Sequence, residues 1–224
     1  MKNNFYVEVN SHQKSHHKSK LCGDVFLSKR IKEENRVVLV LSDGMGHGVK
    51  ANLLATLTAT MALNFTIEHK EESKIAETIM NTLPECSERK ISYSTFSIID
   101  IDAEGKVKIL QYDNPLAMAY RGNQQLELHW QCMLLSGNNQ GKEIYFTSFY
   151  PRKEDRIVLC TDGVSQAGLG VGNFAFGWGD DNVKQFIKNI INQDLHISAK
   201  DLAFKVVAHA NKLDNYTLKD DTSV

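Results

Sequence analysis

A chain of 224 residues that is 42% hydrophobic and 24% charged has the composition of an ordinary globular protein, long enough for one large domain or two small ones with a substantial core. Its formal net charge of −1 gives no reason to expect nucleic acid or an acidic membrane surface as a partner. Four cysteines without a CxxC pair, no apolar run of bilayer length and a start, MKNNFYVEVN, without a signal peptide's apolar core together predict a cytoplasmic protein with reduced thiols and no disulfide frame or zinc site.

The chain opens with strand-like alternation over residues 4–9 and continues into a polar, basic loop, SHQKSHHKSK. His12, His16 and His17 lie there without a Cys or acidic residue at ligand spacing, so the segment reads as an exposed loop rather than a metal tract. LCGDVFLSKR follows as a short strand entered through Gly23 and Asp24, and IKEENR as a charged turn. Residues 37–41, all apolar and rich in β-branched side chains, read as a buried strand. It ends at Asp43, after which Gly44, Gly46 and Gly48 mark a backbone that turns tightly or approaches a ligand. From Ala51, the residues Leu54, Leu57, Met61 and Phe65 recur at the spacing of an amphipathic helix over residues 51–65. A carboxylate thus stands at the exit of a buried strand, where a rigid element can hold a group and the loop leaves room for a ligand.

A second helical pattern runs through Ile75, Ile79 and Leu83 and is stopped by Pro84. From Ser94 the texture is that of strands. TFSIIDID and KVKILQY form a hairpin, and DNPLAMAYRGNQQLELHW forms another pair with turns at Asn114 and Pro115 and at Gly122 and Asn123. A loop over residues 136–141 precedes the strand EIYFTSF. DRIVLCTDGVSQAG then repeats the earlier theme, an apolar run over residues 157–160 ending in Thr161, Asp162 and Gly163. The glycine-rich GLGVGNFAFGWGDD is expected to be a mobile loop, and it lacks the context of a dinucleotide-binding turn. Helical patterns cover residues 182–191 and 198–213, and the chain ends at LKDDTSV. Runs of strands and runs of helices predict one α+β domain over residues 1–224 with antiparallel sheets.

Asp24, Asp43, Asp162 and Asp220 lie at strand ends or beside glycine, far apart in sequence. Carboxylates unaccompanied by His or Cys suit hard cations, Mg²⁺ or Mn²⁺. Two such ions held together would acidify a water into a nucleophile, with phosphate as the natural electrophile. Spacing alone leaves open the alternative that each Asp-Gly is only a turn.

SDGMGHG before a long helix, TDGVSQA in the second half, KDDTSV at the end and LCGDVF near the start resemble, in order, the signature motifs of metal-dependent serine/threonine protein phosphatases of the phosphatase 2C type. The closer likeness is to their bacterial branch, typified by the sporulation stage II protein E phosphatase. The resemblance spans residues 23–224. It implies a central β-sandwich of two antiparallel sheets flanked by helices on both faces, with a dimetal centre at one end. It further implies that Asp43 bridges two Mn²⁺ or Mg²⁺ ions, that the Gly44 carbonyl and Asp24 bind one of them, and that Asp162 and Asp220 bind the other. Asp221 is the neighbour able to exchange roles with Asp220. Asp43 and Asp24 are then the catalytic pair, and the reaction is hydrolysis of phosphoserine or phosphothreonine by in-line attack of an activated water, without a phosphoenzyme.

The sequence departs from the eukaryotic members at Met45, where they carry a histidine thought to act as general acid. It also lacks their arginine ahead of the first acidic motif, having only Lys18 and Lys20, which read as solvated surface. The chain stops at the last motif, where relatives continue through a strand. The resemblance makes a phosphorylated regulatory protein, such as an anti-sigma-factor antagonist, the expected partner, and gives no role to nucleic acid or membrane. Two other readings remain at this stage: a catalytically silent module that only binds a regulatory partner, and a hydrolase of a small phosphorylated metabolite. Intact Asp24, Asp43, Asp162 and Asp220 count against silence.

Overall fold

The structure is a computed structural model that describes residues 6–83, 94–135, 137–170 and 175–224. Pro84 and Cys86 lie outside the described residues, as do Ser136 and part of the glycine-rich loop at residues 171–174.

Three layers of apolar contact organise the chain. A six-stranded antiparallel sheet has the order β2 (Val25–Ile31), β3 (Arg36–Ser42), β4 (Phe96–Ile101), β5 (Val107–Tyr112), β9 (Glu143–Phe149), β8 (Gln131–Leu134). A smaller sheet runs β10 (Arg156–Val158), β6 (Met118–Arg121), β7 (Gln124–Leu126), and two-residue strands β1 (Gln13–Lys14) and β11 (Thr222–Ser223) pair with each other. Alternate residues of the central strands serve different layers. Val38, Val40, Phe96 and Ile98 pack with the residues of α1 (Val49–Ile67) and α2 (Glu72–Thr82), while Leu39, Ile99, Ile101 and Ile109 meet Ile157 of the second sheet and the flanking Ala117 and Leu159. On the far side Met118, Tyr120 and Val158 pack with α4 (Asp180–Gln193) and α5 (Ala199–Leu213). The result is a sandwich of antiparallel sheets with helices on both outer faces, the α+β architecture expected. Burial on both faces is why the 37–41 run is continuously apolar rather than alternating.

Several local expectations need correction. Residues 6–10 form no strand, although Val7 and Val9 pack into the core. The polar loop after them is partly β1, because Gln13 and Lys14 pair with Ser223 and Thr222. β8, which had no separate reading in the sequence, pairs with β9. In α1 the buried positions are Ala51, Leu54, Ala55, Thr58, Ala59, Ala62 and Thr66, whereas Leu57 is 43% exposed. Small side chains let this helix lie close to the sheet. A Cβ on Gly44 would stand 2.0 Å from the Ala51 carbonyl oxygen, so only glycine fits there. The buried Thr58 and Thr66 hydroxyls donate to the Leu54 and Ala62 carbonyls, so their polarity is satisfied within the helix.

Arg36 fastens the end of α1 to this sheet. Its side chain is buried and donates to both carboxylate oxygens of Asp100 on β4 at 2.7 and 2.9 Å, and to the carbonyls of Thr66 and Ile67 at 2.6 and 3.3 Å. Removing Arg36 leaves the half-buried Asp100 carboxylate and the Thr66 carbonyl without their donor, which costs about 1–3 kcal/mol. Arg36→Ala is therefore expected to lower the urea midpoint sharply with little change in slope. A midpoint equal to that of the native chain would show that the network contributes nothing.

Candidate metal centre

The β2 and β3 pairing matches Val25 to Ser42, and this register carries the preceding Asp24 and the following Asp43 to the same end of the sheet. The Asp43 carbonyl is pinned by Thr95 N–H at 2.9 Å and by the Ser94 hydroxyl at 2.7 Å, and Gly44 bridges Ser94. The second half of the chain arrives from the other sheet. Its apolar run leaves β10 at Val158, and Asp162 is the first residue of a short helix, α3 (Asp162–Ser165), rather than the last of a strand. β11 closes beside it: Thr161 N–H donates to the Ser223 carbonyl at 3.1 Å, and a Cβ on Gly163 would stand 2.0 Å from the Asp221 carbonyl oxygen. Glycine at 163 is thus what lets the β11 segment close against α3, and glycine at 44 what lets α1 begin close to the end of β3.

Asp24, Asp43, Asp162, Asp220 and Asp221 all gather here. Asp24 is buried, and its Oδ2 accepts from Thr161 Oγ1 at 2.9 Å and Ser223 Oγ at 2.5 Å. Asp162 Oδ2 accepts from Gln166 Nε2 at 2.7 Å, and Asp220 Oδ1 accepts from Asp221 N–H at 2.8 Å. Asp221 is more buried than Asp220, and its Oδ1 accepts from His16 N–H at 2.9 Å. Burial raises the Asp43 carboxyl well above the ordinary carboxylate range, reinforced by Asp24, Asp162 and Asp220. Burial likewise pushes Asp24 up to about 6 and Asp220 up to about 7, the latter helped by Asp162. A further carboxylate, Asp113 at the turn after β5, is raised by burial and by Asp162.

Asp24 Oδ1, Asp162 Oδ1 and Asp221 Oδ2 are buried without a hydrogen-bond partner. Carboxylate oxygens in that condition are costly unless positive charge faces them, so the residues fit a divalent cation. Among the described residues no three His, Cys, Asp or Glu side chains form a ready-made ligand group. The donors that do meet are all oxygens, and such a set suits Mg²⁺ or Mn²⁺, which complete their shell with backbone oxygens, water and phosphate.

Sequence reasoning missed the part played by the first twenty residues. His16 is buried and stacks flat on His47 at 4.3 Å, and the loop that carries it braces the last motif. The signal was weak, because a histidine pair in a basic tract looks like solvated surface. Lys18 and Lys20 are exposed, as read.

The sequence model of the stage II sporulation protein E family matches residues 33–224. The chain belongs to the SpoIIE family. It is accordingly a serine/threonine protein phosphatase of the phosphatase 2C type, as its motifs indicated. Solved structures agree in fold. The phosphatase domain of the cell fate determinant SpoIIE from Bacillus subtilis is 17% identical with a TM-score of 0.67, covering 95% of this chain and 87% of that one. The SiaA phosphatase 2C domain of Pseudomonas aeruginosa is 16% identical with a TM-score of 0.67, covering 95% and 82%. RsbX in complex with magnesium is 15% identical with a TM-score of 0.59, covering 95% and 90%. Comparison with curated proteins gave no match. No helix among the described residues is long and apolar enough to cross a membrane.

The raised carboxyls of this SpoIIE-family site give a testable sign. A carboxyl whose folded value lies above its unfolded one binds protons more readily in the native state, so stability falls as pH rises through that interval. With chelator present, Tm is expected to rise by several degrees from pH 8 to pH 6, as Asp220 (about 7) and then Asp24 (about 6) take up protons. From about pH 6.5 downward the gain is partly offset, because burial lowers His16 and His209 and their unfolded forms then bind more protons. Scanning calorimetry across that range checks it. A Tm that falls between pH 8 and pH 6 would refute the crowded, uncompensated carboxylates described above.

Proposed function

We propose that the chain is an active metal-dependent phosphatase that hydrolyses phosphoserine or phosphothreonine on a regulatory protein in the cytoplasm. The observation that carries this reading is the meeting of acidic groups from three distant segments, three of whose oxygens are buried without a hydrogen-bond partner. Asp24, Asp43 and the Gly44 carbonyl are proposed to hold one ion and Asp43, Asp162 and Asp220 the other, with Asp221 in reserve. When bound, Mn²⁺ or Mg²⁺ supplies an activated water at neutral pH and offsets negative charge on the phosphoryl oxygens. The protein's part is placement. Ser94 and Thr95 fix the main chain at Asp43, α1 closes on Gly44, and Gln166 orients Asp162. A magnesium complex of RsbX, which shares the fold, is consistent with this choice of ion. A phosphorylated anti-sigma-factor antagonist is the first candidate substrate, by resemblance alone.

The leaving serine oxygen needs a proton, and Met45 cannot give one. His47 is exposed on the site's rim in a turn between two positive-φ glycines, and its ring rests on His16. We assign it a turn-filling role. A general acid contributes ~10²- to 10⁴-fold, so His47→Asn is expected to lower kcat less than about tenfold and to leave the basic limb of the pH profile intact. Loss of two or more orders of magnitude together with that limb would make His47 the acid.

The test of the function is phosphate release from a phosphoserine protein set against release from a small aryl phosphate. Turnover of the protein substrate supports the proposal. Activity on small phosphates alone would favour the metabolite hydrolase, and none on either would favour the silent module.

A further inference from the structure

Two buried hydroxyls meet at Asp24 with their protons already assigned. Thr161 Oγ1 accepts the Ser223 N–H at 3.1 Å, which leaves its own proton for Asp24 Oδ2 at 2.9 Å. Ser223 Oγ accepts from Gln13 Nε2 at 3.0 Å, which leaves its proton for the same oxygen at 2.5 Å. Both hydroxyl-bearing residues are 0% exposed, so water does not substitute for either bond. Two donors saturate one oxygen of the carboxylate and fix its plane, and Oδ1 is left buried and unpartnered.

We infer that Thr161 and Ser223 are positioning residues that clamp Asp24 through Oδ2 and present Oδ1 to the cation, with Gln13 setting the direction of the Ser223 hydroxyl. Both clamps come from the segments that carry Asp162 and Asp220, so the two halves of the centre are fastened to each other through Asp24. Gln13 adds a link to β1, which lies outside the four motifs. A carboxylate held in this way has lost its rotational freedom before the ion arrives, and orienting groups of this kind typically contribute 10- to 100-fold in metal affinity. The inference rests on the proposed role of Asp24 as a ligand.

The experiment is titration of the full chain with Mn²⁺, followed by the electron paramagnetic resonance signal of the free ion, with Tm in chelator measured alongside. Thr161→Val and Ser223→Ala are each expected to weaken binding about 10- to 100-fold, while Thr161→Ser and Ser223→Thr, which keep the hydroxyl, stay within about threefold of the native chain. If Thr161→Val fails to fold, Ser223→Ala and Gln13→Leu decide, the latter with a smaller weakening in the same direction. A native chain that binds Mn²⁺ alongside folded variants that bind it equally well, differing only in Tm, overturns the clamp and leaves the metal reading standing. A native chain that binds no Mn²⁺ overturns both.

Discussion

Asp43→Asn is expected to abolish turnover while leaving a folded protein that melts at a higher temperature than the native chain in chelator. The loss of rate should exceed the ~10²-fold that removing a merely orienting group costs, because Asp43 is the proposed ligand common to both ions. The gain in stability has a separate origin. Burial and the charges of Asp24, Asp162 and Asp220 all disfavour ionised Asp43, and an amide keeps its shape without its charge. The two effects have opposite signs, so a variant that is inactive because it is unfolded cannot imitate the result. Asp24→Asn should act in the same directions but more mildly, since it serves one ion only. Circular dichroism melts at pH 8 with chelator, alongside initial rates with Mn²⁺, measure both. Near-native turnover in Asp43→Asn would remove the bridging assignment, and a lower Tm in chelator would contradict the electrostatic account.

Much of this fold was legible because burial on both faces and tight turns leave strong marks. The unbroken apolar run of β3 and the hairpin of β4 with β5 follow directly from the sequence. The same physics misled at α1, where large residues at helical spacing pointed to Leu57 although the sheet-facing side is lined by alanine and threonine. Close approach selects small side chains, and small side chains contribute little to a hydrophobic pattern. β1 could not be seen, for two residues carry no periodicity and its pairing with β11 joins positions more than two hundred apart, although the residues after Asp221 did suit a strand.

The five aspartates of the candidate site were each named from the sequence, and the fold brings all of them to one place. The roles proposed for them there come from the resemblance to the family's motifs, not from spacing, which left metal and plain turns equally open. What the sequence could not show is the support around them. Thr161 and Ser223 look like ordinary small residues inside motifs, and Gln13 sits in a tract that reads as surface. Only the path of the chain places their donors on Asp24.

The measurement that tests the central claim most directly is release of phosphate from a phosphoserine protein by metal-stripped chain, before and after Mn²⁺ is added back. Without cations the carboxylates repel one another. An oxygen-only ligand set selects Mn²⁺ or Mg²⁺ over the ions held by thiolate and imidazole. Activity is therefore expected to be absent in chelator and to return in full with Mn²⁺ or Mg²⁺. Full turnover by the stripped protein would contradict the account.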